Sequence, residues 1–282
     1  MSNLILGWPN RIDDATLTGG SWRAGLTLAN LQNRRMSSVA RSTTDATADT
    51  KFLADLGQSR SLRVVALVNH NLSIDATWRI TLGTSSGGSQ VYDSGWQGAW
   101  AMTFDSEMLE WEADNWWAGI ADDEYVRHPF NIVWPFDAYY SARYVTIEID
   151  DTTNPDGYVQ IARPFVGGGL EPVTNASFGL SDGWVDPSGI EAAISGAEFF
   201  DVRQRYRAAR FALEWLDNED FKRAFELQRR LGTTGEVLYV PDPADLDACQ
   251  RRGFLGRLRE LSPIEYPRLS IRSAAFELKE LL

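Results

Sequence analysis

Apolar and polar residues alternate at period two along much of this chain, as in WRITLGT (78–84) and YVTIEID (144–150), so residues of one parity face a core and the others face solvent. Between them LRVVALV (62–68) is a nearly unbroken apolar run, the pattern of a central strand covered on both faces. Further short strands are predicted at ATLTG, WRAGLTLANL, SVARST, TKFLADLG, VYDSGW and YVQIARPFV, separated by the turn signals GG, SSGG and NPDG. Many short strands with such punctuation predict a β-sandwich or jelly roll over the first part of the chain.

The period changes once, clearly, at DNEDFKRAFELQRRLG (217–232). Asp217 or Asn218 can cap a helix N-terminus, Asp220 adds negative charge to its first turn, Arg229 and Arg230 load its last turn, and Gly232 follows as a stop. Phe221, Ala224, Phe225, Gln228 and Leu231 share one face, so the predicted helix over about 217–231 has an apolar stripe to bury. Strand-like FFDVRQRYRAARFALEWL precedes it, and EVLYVPDP, GRLRELSPIEY and LSIRSAAFELKEL follow, which predicts a sheet with one helix laid on it. The glycine run of VQIARPFVGGGLEP (159–172) reads as a linker and sets the expected division into 1–168 and 169–282.

Two resemblances are carried by these segments. ADLGQSRSLRVVALVNHNLS, then WRITLGT, then YVTIEIDDTTNPDGYVQIARPFVG, resemble the galactose-binding-like β-sandwich, which implies such a sandwich over residues 1–168. NEDFKRAFELQRRLGTTGEVLYVPDP resembles the tail-tube-like belt domain of distal tail (hub) and minor tail proteins of long-tailed bacteriophages, a β-sandwich or split barrel with one helix. In many of those proteins the belt domain comes first; here the order is reversed. The second resemblance implies a structural virion protein at the tail tip, made in the host cytoplasm, in which residues 169–282 form a ring of identical copies, a hexamer. Its implied partners are further copies of itself, the tail tube protein and other tip or hub proteins, with DNA passing through the lumen only as cargo.

The remaining composition bears on which chemistry is possible. The share of hydrophobic residues is 44% and of charged residues 23%, as in a globular protein. No apolar run approaches the ~20 residues of a spanning helix, and the start MSNLILGWPNRIDD carries no secretory-signal pattern. A net charge of −12 argues against nucleic acid as the primary ligand, because phosphates call for a basic surface. Cys249 is the single cysteine and has no His or second Cys nearby, which excludes an internal disulfide and gives no way to activate the thiol.

Eleven tryptophans exceed ordinary usage and mark either a large β core or a binding and assembly surface. DSEMLEWEADNWWAGIADDEY (105–125) interleaves carboxylates with Trp111, Trp116 and Trp117 and holds no Lys or Arg. With Trp96 and Trp100 these form a candidate docking or carbohydrate- or receptor-contact surface, and a host surface glycan is the alternative ligand. Arg203, Arg205 and Arg207 alternate with Val202, Gln204 and Tyr206, so on a strand they would project to one side, either as a solvated face or as a candidate subunit interface. The strands FFDVRQRY and SAAFELKEL are expected as sheet edges available for pairing between copies.

Catalysis has few parts to work with. His70 and His128 are the only histidines, and no GxSxG, HExxH or CxxC pattern occurs, so the expectation is a protein that is not an enzyme, with no cofactor and no metal. Asp150, Asp151, Asn154 and Asp156 could ligate calcium, or could build a plain Asx and Pro-Gly turn.

Overall fold

The computed structural model describes residues 2–101, 131–268 and 271–282. In chain order its first strands are β1 (Ile5–Gly7), β2 (Thr16–Thr18), β3 (Ala40–Arg41), β4 (Phe52–His70), β5 (Thr77–Gly83), β6 (Tyr92–Asp93), β7 (Gln97–Gly98), β8 (Asn131–Asp150) and β9 (Gln160–Gly167), with one helical turn, α1 (Thr47–Thr50), before β4. There follow β10 (Gly169–Leu170), β11 (Ser181–Val185), β12 (Gly189–Ala192), β13 (Glu198–Asp201), β14 (Tyr206–Leu216), α2 (Asn218–Leu231), β15 (Glu236–Val240), α3 (Leu246–Arg251), β16 (Phe254–Leu258), β17 (Glu265–Arg268) and β18 (Ile271–Glu280). The fold is mostly β, and every strand pairing among the described residues is antiparallel.

One sheet runs β3-β9-β4-β8-β5-β6, with β2 added on β4 and β7 on β5. Its two longest strands, of 19 and 20 residues, exceed what a flat sheet accommodates. Register shifts between Asp55 and Arg60 and between Leu62 and Val64 bend β4 against β8. Gly57 takes φ of 74° at the start of the bend, where its N–H donates to the Asp55 carboxylate at 2.9 Å. Before the bend β4 pairs with β2; after it, with β9. The two halves close into a sandwich, because Phe52 and Ala54 from one meet Val65 and Leu67 from the other in a single core with Trp78, Ile80, Val145 and Ile161.

The apolar run 62–68 is divided between two cores. Leu62, Val65 and Leu67 fill the sandwich. Val64, Ala66 and Val68 face outward with Phe165 and pack on Ile5, Leu238, Val240 and Leu255 of a second sheet. That sheet runs β10-β1-β15-β16-β18-β14-β11, with β17 on β18. Its far face, built from Phe211, Tyr239, Phe254 and Phe276, is closed by Ala224 and Leu227 of α2.

β1 corrects the division at 168. Leu6 pairs with Tyr239 on one side and Leu170 on the other, so the sandwich is threaded between two adjacent strands of the second sheet. A three-residue strand carries no local sign of which distant sheet it joins. The glycine run is a tight crossing and not a free linker: a Cβ on Gly169 would sit 2.7 Å from the Leu6 carbonyl oxygen, and one on Gly167 2.5 Å from that of Pro9. Beside the crossing the fully buried guanidinium of Arg163 (β9) binds Glu236 (β15) and Asp13, and donates to the Leu31 carbonyl at 2.9 Å. Asn10 donates to the same Glu236 at 2.7 Å.

α2 begins and ends as its sequence implies: the Asp217 side chain accepts from the Glu219 and Asp220 amides, and Gly232 closes it at φ of 54°. Its buried face differs from expectation. Asp220, Ala224 and Leu227 are buried, Phe221 and Leu231 flank the core, and Phe225 is exposed. Burial of Asp220 is offset by the Val173 amide, which donates to it at 2.7 Å. WRAGLTLANL is not a strand; Leu28–Gln32 is a 3-10 turn that buries Leu28 and Leu31. SAAFELKEL is not an edge, since β18 lies between β14 and β16.

Candidate functional site

A cleft of about 520 Å³ opens where the sandwich meets α3. Trp78 from β5, Trp134 from β8 and Trp100 just after β7 line one side; Asp245, Asp247 and Gln250 line the other. Trp78 pairs with Ile149 in the second half of β8, whereas Trp134 lies in its first half opposite Val65 of β4, and the two rings meet edge to face at 6.5 Å. Trp134 Nε1 donates to the Tyr92 hydroxyl at 3.0 Å and Trp100 Nε1 to the Ser73 carbonyl at 2.7 Å, so both indoles are fixed in direction. Gln250 spans the gap: its Oε1 accepts from the Ala101 amide at 2.8 Å and its Nε2 donates to the Ala99 carbonyl at 3.2 Å. Asp245 caps α3 by accepting from Ala248 N at 3.0 Å, and Asp247 pairs with Arg251 at 3.0 Å.

Of the tryptophans singled out from sequence, Trp100 lies in the cleft and Trp96 stands exposed outside its lining. Trp111, Trp116, Trp117, the carboxylates around them and His128 lie outside the described residues. Trp78, Trp134 and α3 were not marked by the sequence. Trp78 reads as an ordinary core position, Trp134 sits in a stretch interrupted by Pro135, and α3 is too short for a helical period to show.

His70 ends β4 with its ring against Trp100, and its Nδ1 accepts from the Leu72 amide at 3.2 Å. Burial pushes its pKa down to about 3, so it is neutral across the ordinary pH range. Cys249 packs in the core between the sheets, and burial, with Asp245 and Asp242 nearby, pushes its thiol up to about 12. Asp151 is buried and its two carboxylate oxygens accept from Ser73 and Asn154, while Asp156 accepts from Asn71 at 2.9 Å. The Asp156 amide donates to Asn154 Oδ1 at 2.9 Å, completing an Asx turn. Among the described residues no group of three or more His, Cys, Asp or Glu is arranged to hold a metal ion.

The three arginines do not share a strand face. Arg203 and Arg205 precede β14 in irregular chain, where each pairs with a local acid, Asp201 and Asp186. Only Arg207 is on the strand, and it is buried against Glu280 while donating to the Arg251 carbonyl at 3.1 Å. The buried pair fixes α3 to the sheet and leaves Arg207 no free surface to offer a second copy.

Just before these arginines lies a feature that the alternation concealed. β12 and β13 form a two-stranded arm that pairs with neither large sheet. Ile190 lies opposite Phe200 on one face and Glu191 opposite Phe199 on the other. Ile190, Phe199 and Phe200 are 64%, 65% and 61% exposed, and Ile194 at the tip and Val202 at the base are more so. Both faces of the ribbon therefore present apolar groups to water.

No family model matches the chain, and no curated protein matches it. Solved structures match part of the chain. The lectin domain of lectinolysin, complexed with Lewis B antigen, covers 57% of this chain and 96% of its own length at 18% identity and a TM-score of 0.35. The family 32 CBM from C. perfringens NanJ, in complex with galactose, covers 57% and 98% at 12% identity and 0.38. A Streptococcus pneumoniae fucose binding module covers 57% and 98% at 13% identity and 0.35. At these scores nothing about the ligand of this chain follows from the likeness.

Proposed function

We propose that this chain is a structural subunit of a phage tail tip, whose second sheet assembles with further copies into a ring at the distal end of the tail tube. In this reading the sandwich sits on the outside as an adaptor for tip or fibre proteins, and the protein performs no turnover. The observation that carries the assembly step is the apolar arm β12–β13. A two-stranded hairpin is marginal alone in water, and leaving a large apolar side chain exposed instead of buried forgoes about 1.5–3 kcal/mol each. The described residues leave both faces of the arm exposed, which supports a cover supplied by another copy. The resemblance of residues 218–243 to the belt domain of tail-tip proteins gives the tail its place in the proposal.

Negative-stain imaging of the concentrated protein, with antibody-gold labelling of phage particles from the source strain, tests it. Rings, or gold at the distal end of tails, are expected. Dispersed monomers together with unlabelled particles would sink the idea.

The cleft supports a second reading, in which the sandwich binds a glycan. Its volume is in the range of small-ligand sites, and indoles beside carboxylates are the make-up of a surface on which a pyranose ring stacks. A glycan array probed with the full chain and with Trp134→Ala separates the two readings: binding lost in the variant supports a sugar site, and no binding by either removes it.

A further inference from the structure

The tail-tip proposal requires copies to meet but does not say where, and a second exposed aromatic patch supplies the missing half. Phe225 on α2 lies 6.2 Å from Phe221, which meets Tyr266 at 5.9 Å, and the Arg272 guanidinium lies over the Phe221 ring at 4.6 Å. Phe225 and Tyr266 are both more than half exposed. Beside them on α2, Lys222 pairs with Glu219, and Arg229 and Arg230 pair with Glu226, so the helix neutralises its own charge there. The cation at the patch is Arg272, which has no ion-pair partner among the described residues.

Arm and patch stand at opposite ends of one strand. The arm enters β14 at Tyr206, whereas the patch adjoins its other end, where Leu216 pairs with Arg272. Eleven residues of strand separate them by on the order of 35 Å. They cannot reach each other within one chain. Their charges are complementary: residues 186–201 contain Asp186, Glu191, Glu198 and Asp201 and no Lys or Arg. Asp186 and Asp201 are held by Arg205 and Arg203 at the base, while Glu191 and Glu198 have no ion-pair partner among the described residues.

Resting on the ring-subunit reading above, we infer that the arm of one copy seats on the Phe225–Tyr266 patch of the next, with the acidic arm brought to Arg272. Two different patches meeting make a head-to-tail contact, the kind that closes into a ring or runs on as a filament. A contact of arm with arm would instead bring like charges together and stop at a dimer.

The test uses two full-length variants in sedimentation velocity at rising concentration. Phe199→Glu with Phe200→Glu removes the arm contact; Phe225→Glu with Tyr266→Glu removes the patch contact. The wild type is expected to self-associate, each variant alone to associate at least about tenfold more weakly, and an equimolar mixture of the two to form a dimer and nothing larger. That dimer arises because the patch variant keeps a working arm and the arm variant a working patch.

Self-association of the patch variant alone at wild-type strength overturns the contact in favour of arm-to-arm pairing. Both variants assembling like the wild type overturns this contact while leaving the ring reading intact. A wild type that stays monomeric at the highest attainable concentration overturns both. If the Phe→Glu changes alter thermal unfolding, Glu191→Lys with Glu198→Lys tests the same contact through charge.

Discussion

Strand β4 between residues 62 and 68 and the arm β12–β13 both carry apolar residues on two faces, yet one is wholly buried and the other stands in water. In β4 each face has its own cover, the sandwich core on one side and the second sheet on the other. Among the described residues the arm has neither, and its acids show that it is no misplaced core strand. The difference teaches that two-sided hydrophobicity specifies the need for two covers without saying whether the chain itself supplies them.

The strongest way to break the comparison is to remove what locks the second cover in place. Arg163 and Glu236 are buried together between β9 and β15. Arg163→Met leaves the Glu236 carboxylate without its counter-charge, so urea unfolding is expected to show a loss of about 3–5 kcal/mol. Arg163→Met with Glu236→Leu is expected to recover most of it. If the double variant were as unstable as the single one, Arg163 would be acting mainly through Asp13 and Leu31, and the junction would be held on the sandwich side alone.

Next come the two covers themselves. Phe165→Ala opens the core between the sheets and is expected to cost about 3–5 kcal/mol, and Leu67→Ala opens the sandwich core at about 2–5 kcal/mol. Leu67 pairs with Pro164, next to Phe165, yet the two side chains fill separate cores, so near-additive losses in the double variant would mark the two faces as independent. Strong coupling would instead mean that β4 transmits strain between its faces and that the layers behave as one core.

Much of the sandwich was legible because its signal is local. WRITLGT, YVTIEID and the run 62–68 each declare how many of their faces are covered. The helix was legible in its caps but not in its buried face, since Phe225 and Leu227 are equally apolar and only the position of the sheet decides which turns inward. Partners distant in sequence were not legible: Leu6 with Tyr239, Arg163 with Glu236, or the bend that makes one strand of two expected ones. The candidate site was partly legible for the same reason. Trp100 was marked by composition, whereas Trp134 and Gln250 join it only through the fold.

At the exit of β4, His70 sharpens the comparison through pH. Its folded pKa, about 3, lies below the unfolded value of 6.5, so the neutral form is the folded one. Its stabilising contribution is complete above pH 6.5 and is lost as pH falls toward 3, because the unfolded chain takes up the proton first. At about pH 4.5 the loss is roughly 2–3 kcal/mol. His70→Gln is expected to remove that component, so the stability difference between wild type and variant should shift by this amount between pH 7 and 4.5. A constant difference would show that the ring reaches solvent before the strand end unfolds.

The smallest effect is expected at the arm, and its smallness is the informative part. Phe200 lies opposite Ile190 with most of its surface in water, so Phe200→Ser changes the unfolding free energy of the dilute chain by less than about 0.5 kcal/mol. Leu67→Ala, a smaller chemical change, costs several times more, since it empties space that two layers close over. The order reverses for association: Leu67→Ala leaves the weight-average mass at high concentration unchanged wherever the chain stays folded, and Phe200→Ser lowers it. Should Phe200→Ser instead destabilise the dilute monomer as Leu67→Ala does, the arm would have a cover within its own chain. The contrast between strand and arm would then be one of position only.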